Sequence, residues 1–114
     1  MQHDARAYLF DIKTACEHII QFAGGISQDE YAENELIKSA VERKFVIIGE
    51  AMVRLRREYP DLLDQITDYE KIIGFRNVLV HGYDLISDLT VWSAIMEGMP
   101  VLLEEIKSLL DAQH

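Results

Sequence analysis

The chain has 114 residues, of which 49% are hydrophobic and 27% charged, a composition typical of one globular domain with little room for a second. Its formal charge of −9 argues against a binder of duplex DNA, because such proteins usually present a basic surface. No apolar run has the length of a membrane span, and the first residues lack the layout of a secretory signal, so we expect no membrane association. A single cysteine, Cys16, excludes an internal disulfide and favours a buried thiol in a cytoplasmic protein.

The first predicted helix spans residues 4–23, where apolar residues recur at the spacing of one helical face. Gly24 and Gly25 then end it, since glycine readily adopts the left-handed conformation of a helix C-terminus. Residues 27–30 match an S-x-x-E capping box, which predicts a short helical turn at Tyr31.

The second predicted helix spans residues 34–58 and carries a long apolar stripe. Tyr59 should end it, because the residue before Pro60 is disfavoured in the helical conformation. A second capping box, T-x-x-E at residues 67–70, predicts the start of a third helix, which closes near Gly82.

The fourth predicted helix begins at residues 88–90 and continues to about Leu110. Its apolar period resumes after Pro100 without a phase break, so this proline should kink the helix rather than end it. No alternation typical of strands persists beyond a few residues. The pattern predicts one all-α domain over residues 1–114, an up-and-down bundle of four main helices plus a short helical turn.

The third predicted helix ends in the pattern R-x4-H-x-Y, formed by Arg76, His81 and Tyr83. Arginine binds phosphate bidentately and keeps its charge, and histidine transfers protons near neutral pH, so the pattern suggests chemistry at a phosphodiester. A five-residue spacing places Arg76 and His81 about 140° apart and about 7.5 Å along the helix axis, whereas Asn77 and His81 share a face. The alternatives are that His81 only caps the helix, where the dipole favours its cation, and that Tyr83 is an ordinary surface aromatic.

Basic residues cluster in the middle of this acidic chain. An acidic protein can still act on RNA if its cations converge on one cleft; alternatively, its acidic surface binds a basic protein partner. The second predicted helix carries Lys38, Arg43, Lys44, Arg54, Arg56 and Arg57, and the third carries Lys71 and Arg76.

Glu50 has two open interpretations. It is either a solvated helix residue or a partner that crosses to Arg76, and Gly49 beside it would allow the helices to approach closely. No metal or other cofactor is expected, because His3, His18 and His114 are scattered and no ligand cluster is apparent.

The segment RNVLVHGY at residues 76–83 resembles the R-x4-H-x-Y motif of HEPN domains, specifically that of the HepT-like toxins. Three further segments resemble family elements in the same order: IIGEA at residues 47–51, IIGFRN at residues 72–77, and VW followed by MPVLL at residues 91–103. The resemblance covers nearly the whole chain and agrees with the predicted helical bundle.

This resemblance implies a metal-independent ribonuclease toxin of a type II toxin–antitoxin system. It implies a homodimer in which two motifs face one cleft, with His81 in proton transfer and Arg76 stabilising the charged phosphate. Asn77, Tyr83 and Glu50 would bind substrate or support the motif. The implied partner is an MntA-like nucleotidyltransferase antitoxin that transfers AMP to Tyr83, and a larger hetero-oligomer of antitoxin and dimer is compatible with this resemblance.

One alternative from another functional class stays open. The chain could be a non-catalytic HEPN module that docks a minimal nucleotidyltransferase and helps it to hold substrate. An intact R-x4-H motif favours the ribonuclease, since a docking module does not need it.

Overall fold

A computed structural model describes residues 4–82 and 86–112, and it contains helices and no strand over these ranges. The all-α prediction is therefore confirmed. The helices are α1 (Ala5–Ala23), α2 (Gln28–Glu33), α3 (Glu35–Glu58), α4 (Pro60–Leu63), α5 (Tyr69–His81), α6 (Asp88–Ser93) and α7 (Met99–Ala112), with a π-helical segment (Ala94–Gly98) between the last two.

Side-chain caps set the starts of the first three helices. The carboxylate of Asp4 accepts a hydrogen bond from the backbone N–H of Ala7, and the side chain of Asn34 caps α3. Ser27 and Glu30 form the predicted capping box, because the Ser27 hydroxyl accepts from the Glu30 N–H and the Glu30 carboxylate accepts from the Ser27 N–H. The short predicted turn is helix α2.

The second predicted capping box is wrong. The N-cap of α5 is Asp68, which has a left-handed backbone (φ 56°) and no side-chain cap. Thr67 instead donates to Glu105 on α7, through its backbone N–H at 3.0 Å and its hydroxyl at 2.6 Å. A tertiary contact therefore replaces the local one, and it ties the loop before α5 to α7. The short helix α4, with Pro60 in its first turn, was not predicted.

The helix continues past Pro100 as predicted, but through a change of helical type. Pro100 has no N–H and its ring would clash with the carbonyl of the preceding turn. The chain widens here into the π-helical segment, in which the Met99 N–H bonds to the Ala94 carbonyl five residues earlier. The α7 helix that follows buries Met99, Leu102, Ile106 and Leu109 in the core.

The core lies between α1, α3 and α7, and no polar or charged residue among those described is buried. The α1 helix is held at one end by Tyr8, whose hydroxyl donates to Glu58 on α3 at 2.8 Å. Cys16 is fully buried in this core, as predicted, and burial raises the pKa of its thiol to about 12. Within the described ranges no helix combines the length and the apolar composition that crossing a membrane requires.

Helix α5 runs antiparallel to α3 and packs against it. Ten residues separate the end of α3 from the start of α5. The helix that follows α5 is anchored at the other end of α3, where Lys38 pairs with Asp88 at 3.1 Å. The rings of Phe45 and Phe75 meet edge to face between α3 and α5, with centroids 4.9 Å apart. The contact of Phe45 with Phe75 thus helps to position α5, which carries Arg76 and His81, along one side of α3.

Candidate functional site

Arg76 lies at the closest approach of α5 to α3. Its side chain is 24% exposed. Gly49, which is buried, faces the aliphatic stem of Arg76 so closely that a Cβ at Gly49 would clash with the Cβ and Cγ atoms of the arginine. The predicted close approach at Gly49 is confirmed, and it explains why a glycine stands in the middle of a long helix despite its low helix propensity.

The guanidinium of Arg76 is held from both sides. Its NH2 nitrogen lies 3.8 Å from a carboxylate oxygen of Glu50, and its NH1 nitrogen donates to the side-chain oxygen of Asn77 at 2.8 Å. Of the two interpretations of Glu50, the structure shows the pair with Arg76, with the Glu50 side chain still 41% exposed. The pair is long and partly solvated, so its main effect is to orient the guanidinium rather than to stabilise the fold.

The Nε nitrogen of Arg76 is buried and has no hydrogen-bond partner among the described residues. The arginine therefore enters the site with its stem packed on Gly49 and its outer nitrogens directed to Glu50 and Asn77. A guanidinium held in this way keeps a fixed charge and retains donors for an added acceptor, such as a phosphate oxygen.

His81 occupies the last turn of α5 and is exposed. The helix closes directly after it, where the Gly82 N–H bonds to the Val78 carbonyl at 2.7 Å. Within the described residues the imidazole makes no hydrogen bond.

Arg76 and His81 do not converge on one face of α5. The stem of Arg76 lies against α3, whereas His81 and Asn77 lie on the exposed side of the helix. The α-helical geometry separates the two motif residues by about 140° and about 7.5 Å. Asn77 links them, because it shares the exposed face with His81 while its oxygen accepts from Arg76.

Tyr83 lies outside the described residues, as do His3 and His114. The ring of His18 is stacked on that of Phe22, with centroids 5.7 Å apart. In the described part of the chain, no three His, Cys, Asp or Glu side chains are grouped closely enough to hold a metal ion.

The cations that are clustered in the sequence divide into two groups in the structure. Lys38 is paired with Asp88 and Glu35, and hydrogen bonding to Asp88 raises its pKa above the ordinary value. Arg57 is paired with Glu58 at 2.9 Å. Among the described residues, no carboxylate lies within ion-pair distance of the remaining cations of α3 and α5, which are Arg43, Lys44, Arg54, Arg56 and Lys71.

Two site contacts were not foreseen in the sequence. The edge-to-face contact of Phe45 with Phe75 fixes the relative position of α3 and α5, and Asn77 bonds to Arg76 although the helical spacing pointed only to His81. The i, i+1 contact depends on the conformation of the arginine side chain, which spacing alone does not reveal. The aromatic contact has a signal, since both residues lie on the inward stripes of consecutive predicted helices.

The family model described as "Ribonuclease HepT-like" matches residues 12–109. A Methanocaldococcus jannaschii protein named "Putative RNase" is 28% identical over 106 residues, which cover 93% of this chain and 96% of the relative. A Caldanaerobacter subterraneus protein with the same name is 29% identical, covering 95% and 96% of the two chains. A Thermococcus cleftensis protein named "Probable ribonuclease HepT" is 27% identical, covering 96% and 98%. No solved structure matches the chain.

Proposed function

The chain belongs to the HepT-like ribonuclease family, and from this premise we propose that it is an endoribonuclease and the toxin of a type II toxin–antitoxin system. The observation that carries the proposal is the arrangement of Arg76, packed on Gly49 and oriented by Glu50 and Asn77, on the helix that ends in an exposed His81. Curated relatives matched over nearly their whole length carry ribonuclease names.

The proposed reaction is attack of a ribose 2′-oxygen on the adjacent phosphorus. The 2′-hydroxyl loses its proton to a base, the bond from phosphorus to the 5′-oxygen breaks, and that oxygen receives a proton from an acid. The products are a 2′,3′-cyclic phosphate and a 5′-hydroxyl. His81 transfers protons, and Arg76 stabilises the additional negative charge of the pentacoordinate phosphate. Because the substrate supplies its own nucleophile, the reaction does not require a metal-bound hydroxide.

Two copies of the chain complete the proposed site. One motif supplies one imidazole, whereas the reaction uses a base and an acid at the same time. This view is supported by the positions of Arg76 and His81, which lie in different directions around α5. A second copy would bring its own His81 to the phosphate that Arg76 contacts. If so, a mixed dimer of a wild-type chain and a His81→Ala chain contains only one imidazole and is inactive, so an excess of His81→Ala protein should inhibit the wild-type protein.

Regulation by a nucleotidyltransferase antitoxin is part of the proposal. The tyrosine of the motif, Tyr83, follows His81 by two residues, so an AMP group on its oxygen would place a negative phosphate and a nucleoside beside the imidazole. This group would compete with RNA for the cations of the site. Mass spectrometry of the protein produced with and without an MntA-like enzyme tests the step, and Tyr83→Phe should remove the added mass.

Cleavage of total RNA in EDTA tests the catalytic proposal. The wild-type protein should cleave, His81→Ala should not, and His18→Gln serves as a matched control because His18 lies on α1, away from the motif. A docking module is the competing function, favoured by the charge of −9, which is unusual for an RNA-binding protein. Absence of cleavage by unmodified, folded wild-type protein, together with binding of the nucleotidyltransferase, would establish that function instead.

A further inference from the structure

Two of the three arginines of α3 that have no ion pair among the described residues, Arg43 and Arg54, share one face of the helix, and the third, Arg56, lies about 160° away from Arg54. Arg43 and Arg54 are eleven residues apart, which at 100° per residue places them about 20° from one another on the same face. Both are exposed. Glu50 lies between them on this face, and its carboxylate is paired with Arg76. The face therefore presents two uncompensated cations on either side of the motif arginine.

The antiparallel packing of α3 and α5 sets the order of these cations along the surface. Gly49 faces Arg76, and His81 lies five residues further along α5, about 7.5 Å towards the beginning of α3. Arg43 lies six residues before Gly49 on α3, about 9 Å along the axis, and therefore close to the level of His81. Arg54 lies on the other side of Arg76, about 7.5 Å from Gly49 along α3.

Some other cations of the described chain are neutralised by carboxylates, whereas Lys44, Arg56, Lys71 and Lys107 have no ion pair among the described residues. Lys13, Lys38 and Arg57 each form an ion pair with a carboxylate within 3.4 Å. Arg54 lies near Glu58, but that carboxylate already accepts hydrogen bonds from Arg57 and Tyr8. In a protein with a charge of −9, free arginines concentrated on the face of the motif form a local attractive region for a polyanion.

We propose that Arg43 and Arg54 bind backbone phosphates of the RNA strand on either side of the phosphate that Arg76 contacts. This inference rests on the proposed ribonuclease function and extends it to the path of the substrate along α3. The two arginines are about 16.5 Å apart along the helix axis. That distance corresponds to about five phosphates of a stacked strand. The strand crosses the site with Arg43 at the His81 side and Arg54 at the opposite side.

The contacts are to the backbone, so they confer affinity without base preference. Each neutralised phosphate of a single strand contributes about 0.7 to the slope of log affinity against log salt concentration. Arg43→Gln and Arg54→Gln should each reduce this slope by about 0.7, and the double variant should reduce it by about 1.4. Arg43→Lys keeps the charge and should retain most of the slope.

The experiment measures binding of a fluorescent single-stranded RNA of about 12 nucleotides by anisotropy at several salt concentrations. All variants are made in an inactive His81→Ala protein, so that the RNA stays intact. Lys107→Gln is the matched control, because Lys107 lies on α7 and also lacks an ion pair among the described residues. Sedimentation of each variant shows whether the proposed dimer still forms.

Slopes lowered by both arginine variants, with Lys107→Gln unchanged, would support the inference. If the His81→Ala protein binds RNA and the arginine variants have the same salt slope as Lys107→Gln, the inference fails while the ribonuclease proposal stands. If the arginine variants dissociate the assembly, the residues join two copies, and the inference is again wrong. If the His81→Ala protein does not bind RNA and the wild-type protein does not cleave it, both proposals fail together.

Discussion

Replacing Gly49 by alanine is the most direct perturbation of the helix contact that positions the motif. The new Cβ would clash with the Cβ and Cγ of Arg76, which are close to the α5 backbone and cannot swing away as a side-chain tip does. Either α3 and α5 must separate or Arg76 must leave its rotamer. Both changes move the guanidinium away from Glu50 and Asn77.

The expected change in the free energy of unfolding is the sum of two opposing contributions. Glycine to alanine inside a helix stabilises by about 0.5–1 kcal/mol, whereas overpacking a close contact costs about 1–3 kcal/mol. Gly74 is the matched control on α5, since a Cβ there would have no atom within 4 Å. Gly74→Ala should therefore show only the gain, and the free energies of unfolding of the two variants should differ by about 1–3 kcal/mol.

Urea unfolding followed by circular dichroism measures this difference, and RNA cleavage measures its consequence. Displacing a catalytic group by about 1 Å can lower the rate about a hundredfold. Gly49→Ala should therefore cleave RNA about a hundredfold more slowly than the wild type under conditions in which the variant is still folded. Gly74→Ala should be at least as stable as the wild type. If Gly49→Ala is as stable and as active as Gly74→Ala, the packing of Arg76 on this glycine does not position the site.

Three further outcomes are expected. Glu50→Gln should change the free energy of unfolding by less than about 1 kcal/mol, because the pair of Glu50 with Arg76 is partly exposed. The same substitution should lower the cleavage rate, and an unchanged rate would show that Glu50 has no role in the site. Hydrogen bonds from Arg57 and Tyr8 lower the pKa of Glu58 below its ordinary 4.5, so its stabilisation is present above pH 4.5 and is lost as the pH falls through the lowered pKa. The difference in urea midpoint between wild type and Glu58→Gln should therefore shrink below pH 4.5, and a constant difference would contradict the linkage. Cys16, with a pKa raised to about 12 by burial, should react with a thiol reagent only in urea; fast labelling of the folded protein would contradict its burial.

The helices could be predicted from sequence because their signals are local. Apolar spacing and the caps at Ser27 and Asn34 act within a few residues, and the structure has the helices where these signals place them. The capping box at Thr67 failed because a distant carboxylate, Glu105, bonds to the same groups. The π-helical segment before Pro100 was also missed, since the choice between a kink and a widened turn depends on how the following helix packs.

The candidate site was predictable in its residues and less so in its geometry. The short spacing of Arg76 and His81 suggested chemistry at a phosphodiester, which stays a prediction, and Gly49 pointed to a close helix contact. Which cations remain unpaired could not be deduced, because pairs such as Lys38 with Asp88 join residues 50 positions apart. The hydrogen bond of Asn77 to Arg76 likewise depends on a rotamer that only the packed helices define.

The most direct test of the central claim is cleavage of a defined RNA in EDTA, with the ends of the products identified. Wild-type protein should produce a 2′,3′-cyclic phosphate and a 5′-hydroxyl, and His81→Ala should produce neither. Replacing the 2′-hydroxyl at the mapped cleavage site by hydrogen should abolish cleavage there. Cleavage that persists in His81→Ala, or at the deoxy position, would contradict a reaction carried out by this motif on the ribose hydroxyl.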